Sequence, residues 1–76
     1  MNNPRRKELR KAMELLEQAK SIIETAAEEE QESFDNMPEG LQYSERGERV
    51  EENASRLDDL FSTLEDSISE LEEVIE

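Results

Sequence analysis

The chain has 76 residues, no cysteine and no histidine, and it carries 22 acidic against 9 basic residues for a net charge of −13. A chain of this size forms at most one domain, and its composition excludes disulfides, the common zinc ligand sets and imidazole catalysis. The strong acidity disfavours direct binding to nucleic acid and favours a protein partner that has a basic surface.

The first predicted element is an amphipathic helix over residues 4–36. Its apolar residues alternate at spacings of four and three, which is typical of a helix that packs along another helix. They are Leu9, Met13, Leu16, Ile23, Ala27 and Phe34, with Lys20 and Glu30 at the two polar steps. Pro4 suits a first helical turn, and Pro38 disfavours helical geometry in the residue before it. We therefore expect the helix to begin near Asn3 or Pro4 and to end near Asn36.

A second apolar stripe follows the same helix outside this seam. Its members are Ala12, Leu15, Ala19, Ile22 and Ala26, and we call them the outer stripe. Alternation of small and large side chains allows another helix to approach closely. The outer stripe predicts a symmetric homodimer that forms a four-helix bundle. The alternative is a wide apolar face on a lone hairpin, with Leu60 and Val74 adding to it from the second helix.

Residues 37–43 are predicted to form the turn. The stretch from Pro38 to Gln42 suits one helical turn with proline at its first position, and Ser44 suits the N-cap of the next helix. Gly47 falls on the apolar seam, where glycine costs about 1 kcal/mol of helix propensity relative to alanine. A close approach of the turn to the first helix would explain this glycine.

The second helix is predicted over residues 44–76. Its seam continues the alternation of four and three through Gly47, Val50, Ala54, Leu57, Phe61, Leu64, Ile68, Leu71 and Ile75. If the chain folds back at the turn, facing seam positions such as Leu16 and Ile68 have residue numbers that sum to 84. The predicted fold is therefore all-α: an antiparallel two-helix hairpin of the coiled-coil type. Helices of about 30 residues make it a rod of about 45 Å, with the basic start of the first helix beside the acidic end of the second.

No motif for catalysis, cofactor binding or metal binding is present in the sequence. The chain has no nucleophile paired with a base and no glycine-rich phosphate loop, and its acidic clusters lack the alternating spacing of a calcium-binding loop. No apolar run approaches the roughly 20 residues of a membrane span, and the basic N-terminal residues lead into no apolar signal core. We expect a cytoplasmic protein that is not an enzyme, holds no cofactor or metal and does not enter a membrane.

The turn and its flanks have a recognisable pattern. Residues 29–48 read EEQESFDNMPEGLQYSERGE. This segment resembles the core of a group of small acidic proteins encoded by bacteriophages and prophages, EEQ-x-x-[FY]-DN-[LM]-PE-x-[LI]-Q-x-SE-[RK]-GE, in which basic residues precede the core and acidic helical repeats follow it. The resemblance covers nearly the whole chain. It implies an accessory protein of a phage or mobile element that acts in the cytoplasm of a bacterial host, and it transfers no catalytic residue.

Two sets of residues are candidates for contact with a partner. The turn set contains more polar detail than a turn requires and comprises Asn36, Gln42, Tyr43, Glu45, Arg46 and Glu48. The acidic residues along the rod together produce a negative electrostatic field, which we call the acidic field. The helix set represents this field and comprises Asp58, Asp59, Glu65 and Asp66.

The acidic field predicts an inhibitor that occupies a basic, nucleic-acid-binding groove of a host nuclease or defence complex. Residues 1–11 carry five basic residues and one acidic residue, a net charge of +4. Because the whole chain carries −13, residues 12–76 carry −17. Over a rod of about 45 Å this is about one charge per 2.6 Å, against about one per 1.7 Å of duplex DNA. The alternative is a structural or adaptor coiled-coil module that docks on a larger phage or host assembly. A weaker third interpretation is regulation of a basic DNA-binding protein through the turn.

Overall fold

The computed structural model describes all 76 residues, and it consists of three helices joined by short connections. Helix α1 spans Asn3–Asp35, the single-turn helix α2 spans Glu39–Gln42, and helix α3 spans Glu45–Ile75. There is no strand, so the prediction of an all-α protein is confirmed.

Side-chain caps mark the starts of both long helices. The Asn2 side chain accepts a hydrogen bond of 2.8 Å from the backbone N–H of Arg5, and Pro4 lies in the first turn of α1. The Ser44 hydroxyl accepts a hydrogen bond of 3.2 Å from the backbone N–H of Gly47 at the start of α3. Each cap satisfies a backbone donor that has no partner within its own helix.

Two contacts establish that α1 and α3 run antiparallel. The Arg6 guanidinium, at the start of α1, donates a hydrogen bond of 3.2 Å to the carbonyl of Ile75, at the end of α3. Further along, the ammonium of Lys20 lies 5.5 Å from the centre of the Phe61 ring, within range of a cation–π interaction. The result is a rod of 58 × 14 × 13 Å. It is longer than expected because the helices have 33 and 31 residues and the turn extends beyond their ends.

The two side-chain contacts between α1 and α3 are displaced by one seam step from the predicted pairing. Lys20 and Phe61 have residue numbers that sum to 81, and so do Arg6 and Ile75. The predicted sum of 84 would place Lys20 opposite Leu64. Successive seam residues are three or four positions apart, so a shift of three brings the same two faces together.

The seam is a thin core. Every one of its 17 residues is buried or half-buried, from Leu9 to Phe34 on α1 and from Gly47 to Ile75 on α3. Only five residues are buried, namely Ala27, Gly47, Ala54, Ile68 and Ile75, and Ala54 is the least exposed apolar residue at 3%. No large side chain is completely enclosed, because one helix covers only one side of the other. The hairpin therefore leaves much of its apolar surface in contact with water.

The opposite charges at the open end of the hairpin do not form close ion pairs. All three ion pairs within 4.0 Å are local and exposed: Lys11 with Glu8, Arg49 with Glu45, and Arg56 with Glu52. Such pairs contribute about 0–1 kcal/mol each. The direct link between the two ends is instead the bond from Arg6 to a C-terminal carbonyl, where a cation interacts favourably with the helix dipole.

Candidate interaction surfaces

The turn is built around the α2 helical turn. The carbonyl of Pro38 accepts hydrogen bonds from the backbone N–H groups of Leu41 and Gln42, at 2.8 and 3.1 Å. Pro38 itself is extended at φ −55°, ψ 143° and precedes the helix. The sequence predicts this single helical turn but places proline at its first position. Proline lies instead at the N-cap, because its extended ψ places it outside the helical conformation.

Gly47 is buried beneath this turn. A Cβ atom at this position would overlap the carbonyl oxygens of Leu41 and Gln42. The close approach that we predicted therefore exists, but it is to α2 rather than to α1, because α2 folds over the first turn of α3. Gly40, in contrast, has open space around it, since a Cβ atom added there would have no neighbour within 4 Å.

Two members of the turn set participate in the turn itself. The side-chain amide of Gln42 donates a hydrogen bond of 2.9 Å to the carbonyl of Phe34 and thereby ties α2 to the end of α1. Asn36 is the C-cap of α1, and its backbone N–H bonds to the carbonyl of Glu32 at 2.9 Å. The side chain of Asn36 is exposed. Gln42 is therefore accounted for by folding, whereas the Asn36 side chain is free for contact.

Other members of the turn set point into solvent. Tyr43 is 77% exposed, and Arg46 is exposed and has no carboxylate within 4.0 Å. Glu45 is held by Arg49 at 3.7 Å, while Glu48 is exposed. These residues share one end of the rod, where Tyr43 and Arg46 are the two side chains least constrained by the fold.

Sequence reasoning missed the exposure of the apolar residues at the turn. A turn-building role alone would explain Leu41, yet this residue is 55% exposed. Together with Met37, Ser44 and Arg46 it lines a shallow concavity of ≈ 260 Å³. The signal in the sequence is the position of Leu41 after Pro38, which places it beyond the end of α1, where no facing long helix covers it.

One broad side of the hairpin is acidic. Each of the 17 seam residues is followed directly by an exposed residue, and of these 17 residues 11 are acidic and one, Arg10, is basic. We call this set the acidic side; its acidic members are Glu14, Glu17, Glu24, Glu28, Asp35, Glu48, Glu51, Asp58, Glu65, Glu72 and Glu76. The set carries a net charge of −10.

A groove on this side confirms that the two helices contribute to one surface. It has a volume of ≈ 520 Å³, and carboxylates from α1 (Glu24, Glu28) and from α3 (Asp58) line it together. Ala27 and Ala54 form part of its lining, and their small side chains leave the space open. From the helix set, Asp58 and Glu65 therefore belong to the acidic side. Asp59 and Asp66 lie one position further, on the exposed outer edge of α3.

The opposite broad side is apolar at its centre. The residues that directly precede a seam residue include three acidic and three basic ones, so their net charge is zero. All five outer-stripe residues belong to this set, with Leu15 at 65% and Ile22 at 69% exposure. Helix α3 adds Leu60 at 51% and Val74 at 57%. We call this set the apolar side.

The turn set is thus divided between the two sides. Glu48 belongs to the acidic side because it follows Gly47, and Arg46 belongs to the apolar side because it precedes Gly47. The acidic side is continuous along the rod, whereas the turn set forms a patch at one end only.

Comparisons with family models, curated proteins and solved structures found no match to this chain. The resemblance to small phage proteins therefore stays a prediction. None of the helices combines the length and the apolarity needed to cross a membrane. No group of three carboxylates is arranged so that it could hold a metal ion.

Proposed function

We propose that this protein is a non-enzymatic interaction module whose acidic side binds a basic surface on a protein partner. The observation that carries the proposal is the segregation of charge. Eleven carboxylates and a single cation follow the seam, and all of them are exposed, while the opposite side is neutral. Acidity needed only for solubility would have no reason to favour one side of a hairpin. A surface of one sign attracts and orients a partner of the other sign.

The resemblance of the turn to phage proteins favours a host protein as the partner. A nuclease or defence complex with a basic nucleic-acid-binding groove has the complementary chemistry. In the folded hairpin, the basic start of α1 offsets part of the acidity, so a single rod carries −13 over 58 Å. A dimer of the same length carries −26, about one charge per 2.2 Å, which approaches the one per 1.7 Å of duplex DNA. Mimicry of nucleic acid therefore requires the dimer.

Dimerisation is the second part of the proposal, and the surface area of the hairpin supports it. A folded monomer of 8.8 kDa is expected to expose about 4,800 Å², whereas this chain exposes 5,875 Å². The excess of about 1,100 Å² exceeds the roughly 800 Å² per partner that a standard interface buries. The apolar side is where this surface can be covered, and two hairpins joined there form a four-helix bundle.

A second candidate function is a structural or adaptor module. The specific observation that favours it is the exposure of Leu15 and Ile22, which a helix from a larger phage or host assembly would cover as well as a second copy does. In that case the apolar side carries the partner and the acidic side faces solvent. The two candidates differ in their response to salt, because apolar contacts persist at about 0.5 M whereas exposed charge pairs are strongly screened.

The test is a comparison of two variants with equal net charge. The wild-type protein is used to capture a partner from bacterial lysate, and its affinity for the purified partner is then measured. Neutralising two acidic-side residues, Glu28→Gln with Asp58→Asn, should weaken binding roughly 2- to 30-fold, since exposed ion pairs contribute about 0.2–1 kcal/mol each. The control, Glu32→Gln with Glu73→Gln, removes the same charge from the outer edges and should change the affinity less.

Two results would contradict this assignment. Equal losses for the two variants would mean that the partner senses only net charge. Binding that survives both of them but is lost in Tyr43→Ala with Arg46→Ala would place the contact at the turn, because Tyr and Arg are the residues that most often dominate interfaces.

A further inference from the structure

The outer stripe is symmetric about the middle of α1, and the midpoints of both long helices lie on the apolar side. Helix α1 spans Asn3–Asp35 and α3 spans Glu45–Ile75, so their central residues are Ala19 and Leu60. Both central residues belong to the apolar side. The outer stripe also extends equally in both directions from Ala19, to Ala12 and to Ala26. A surface with this symmetry can pair with a copy of itself that runs the other way, as an isologous interface requires.

Two hairpins can stack through their apolar sides in two ways that keep two-fold symmetry. If the turns lie at the same end, α1 of one copy lies on α3 of the other. In the register of the Lys20–Phe61 and Arg6–Ile75 contacts, Leu15 would then lie between Thr63 and Ser67 of the second copy. Ile22 would lie beside Leu60 of the second copy. This arrangement places Leu15, but not Ile22, against polar side chains.

If the turns lie at opposite ends, α1 lies on α1 and α3 lies on α3. Leu15 then lies opposite Ile22 of the second copy, and Ala19 lies opposite its own equivalent on the two-fold axis. On α3, the axis passes between Leu60 and Thr63, so the two Leu60 side chains lie about one helical turn apart. The small Ala19 side chains allow the two α1 helices to approach closely at the centre. Apolar residues therefore meet apolar residues along the whole outer stripe.

The charge distribution favours the same arrangement. The half of the rod that contains the turn, residues 21–60, has 13 acidic and 3 basic residues and a net charge of −10. The half that contains both termini has 9 acidic and 6 basic residues and a net charge of −3. Opposed turns place each strongly acidic half beside a weakly charged one, and they bring Arg49 near the acidic C-terminal turn of α3 in the second copy. Turns at the same end would place the two strongly acidic halves side by side.

We infer that a second copy of this chain docks on the apolar side with its turn at the opposite end of the rod, on a two-fold axis that passes near Ala19 and Leu60. The inference rests on the dimer of the proposed function and adds its orientation. In this dimer the acidic sides face outward on both surfaces, and a patch formed by the turn set lies at each end. The dimer is therefore bivalent, with two equivalent surfaces for a basic partner.

Single cysteine variants test the orientation directly, because the chain has no cysteine of its own. Under mild oxidation, Ala19→Cys should form a covalent dimer in the majority of chains, since its two copies meet on the axis. The control Ala12→Cys should remain reduced. Its two copies are displaced by 14 residues along the helix, about 21 Å, and a disulfide requires Cα atoms within about 7 Å. Chains with Ala12→Cys mixed with chains with Ala26→Cys should form the mixed disulfide.

The same set of variants defines the results that overturn the inference. In the arrangement with both turns at one end, Ala19→Cys alone stays reduced and forms a mixed disulfide with Thr63→Cys. If the protein sediments as a monomer at tens of micromolar, a second copy does not cover the apolar side. Its occupant is then a helix of another protein. A dimer in which Ala19→Cys does not cross-link has its interface elsewhere. None of these measurements requires the basic partner. The dimer orientation can therefore be wrong while the acidic side still binds a partner, and it can be right while the acidic side binds none.

Discussion

Gly47 shows how one residue determines the geometry of the turn. Glycine lowers helix propensity at this position by about 1 kcal/mol relative to alanine, and the structure shows why it is nevertheless needed. The carbonyl oxygens of Leu41 and Gln42 occupy the space that any side chain would take. These carbonyls belong to backbone rather than to flexible side chains, so they cannot move aside without disrupting α2.

Gly47→Ala should therefore destabilise the protein although alanine is the better helix former. Overpacking against backbone typically costs about 1–3 kcal/mol, so the midpoint of thermal unfolding, followed by circular dichroism, should fall. The matched control is Gly40→Ala, which has open space around it and a negative φ, and which should be neutral or slightly stabilising. A Gly47→Ala protein at least as stable as Gly40→Ala would show that α2 is not packed as described.

The polar residues of the turn mark where sequence reasoning reaches its limit. Ser44 is recognisable as an N-cap because capping depends on residue type and on neighbours within one helical turn. The bond from Gln42 to the carbonyl of Phe34 joins residues eight positions apart across a change of chain direction. This bond depends on the exact path of the backbone. The sequence alone therefore shows only that a simple turn does not require a glutamine at position 42.

At the level of elements, the spacing of four and three is sufficient to find both long helices and the residues between them. All seam residues are buried or half-buried, including Lys20 and Glu30 at the polar steps. Lys20 is accommodated because its stem covers apolar surface while its ammonium lies over Phe61. The Lys20–Phe61 and Arg6–Ile75 contacts lie one seam step from the predicted pairing, because the seam spacing defines which faces meet and leaves the axial offset of the side-chain contacts open.

A charge placed in the seam should disrupt the pairing of α1 and α3. Leu64→Asp replaces a half-buried leucine of the seam with a carboxylate, and we expect a loss of about 3 kcal/mol or more, a large part of the about 4–11 kcal/mol available to a chain of this size. The control Ser62→Asp adds the same charge to α3 at an exposed position and should cost less than about 1 kcal/mol. The measurement is urea unfolding followed by circular dichroism. Equal midpoints for the two variants would be incompatible with a seam at Leu64.

At the level of the whole molecule, the hairpin converts a uniformly acidic composition into two different sides. The acidic clusters are visible in the sequence, but they are spread over both helices. Their segregation becomes visible once the seam is assigned. A residue that directly follows a seam residue projects to the same side of the hairpin from both antiparallel helices. The groove lined by Glu24, Glu28 and Asp58 shows this convergence.

The existence of the dimer can be tested separately from its orientation. Leu15→Glu with Ile22→Glu adds two charges to each copy at the centre of the apolar side, where the second copy would leave them without water or a counter-ion. The control Ser21→Glu with Ser62→Glu adds the same charge to the acidic side, where both positions are exposed. The two proteins have equal net charge, so a difference between them reports on the location of the interface.

Analytical ultracentrifugation should show a monomer for the apolar-side variant and a dimer for the control and for the wild type. The unfolding temperature provides a second measurement. For a dimer it rises with protein concentration, because association stabilises only the folded state, and for a monomer it does not. The apolar-side variant should therefore lose the concentration dependence and keep its helical spectrum, since neither residue belongs to the seam. If both variants stay dimeric, the second copy must bind outside the apolar side. The apolar side would then be left to a helix of another protein.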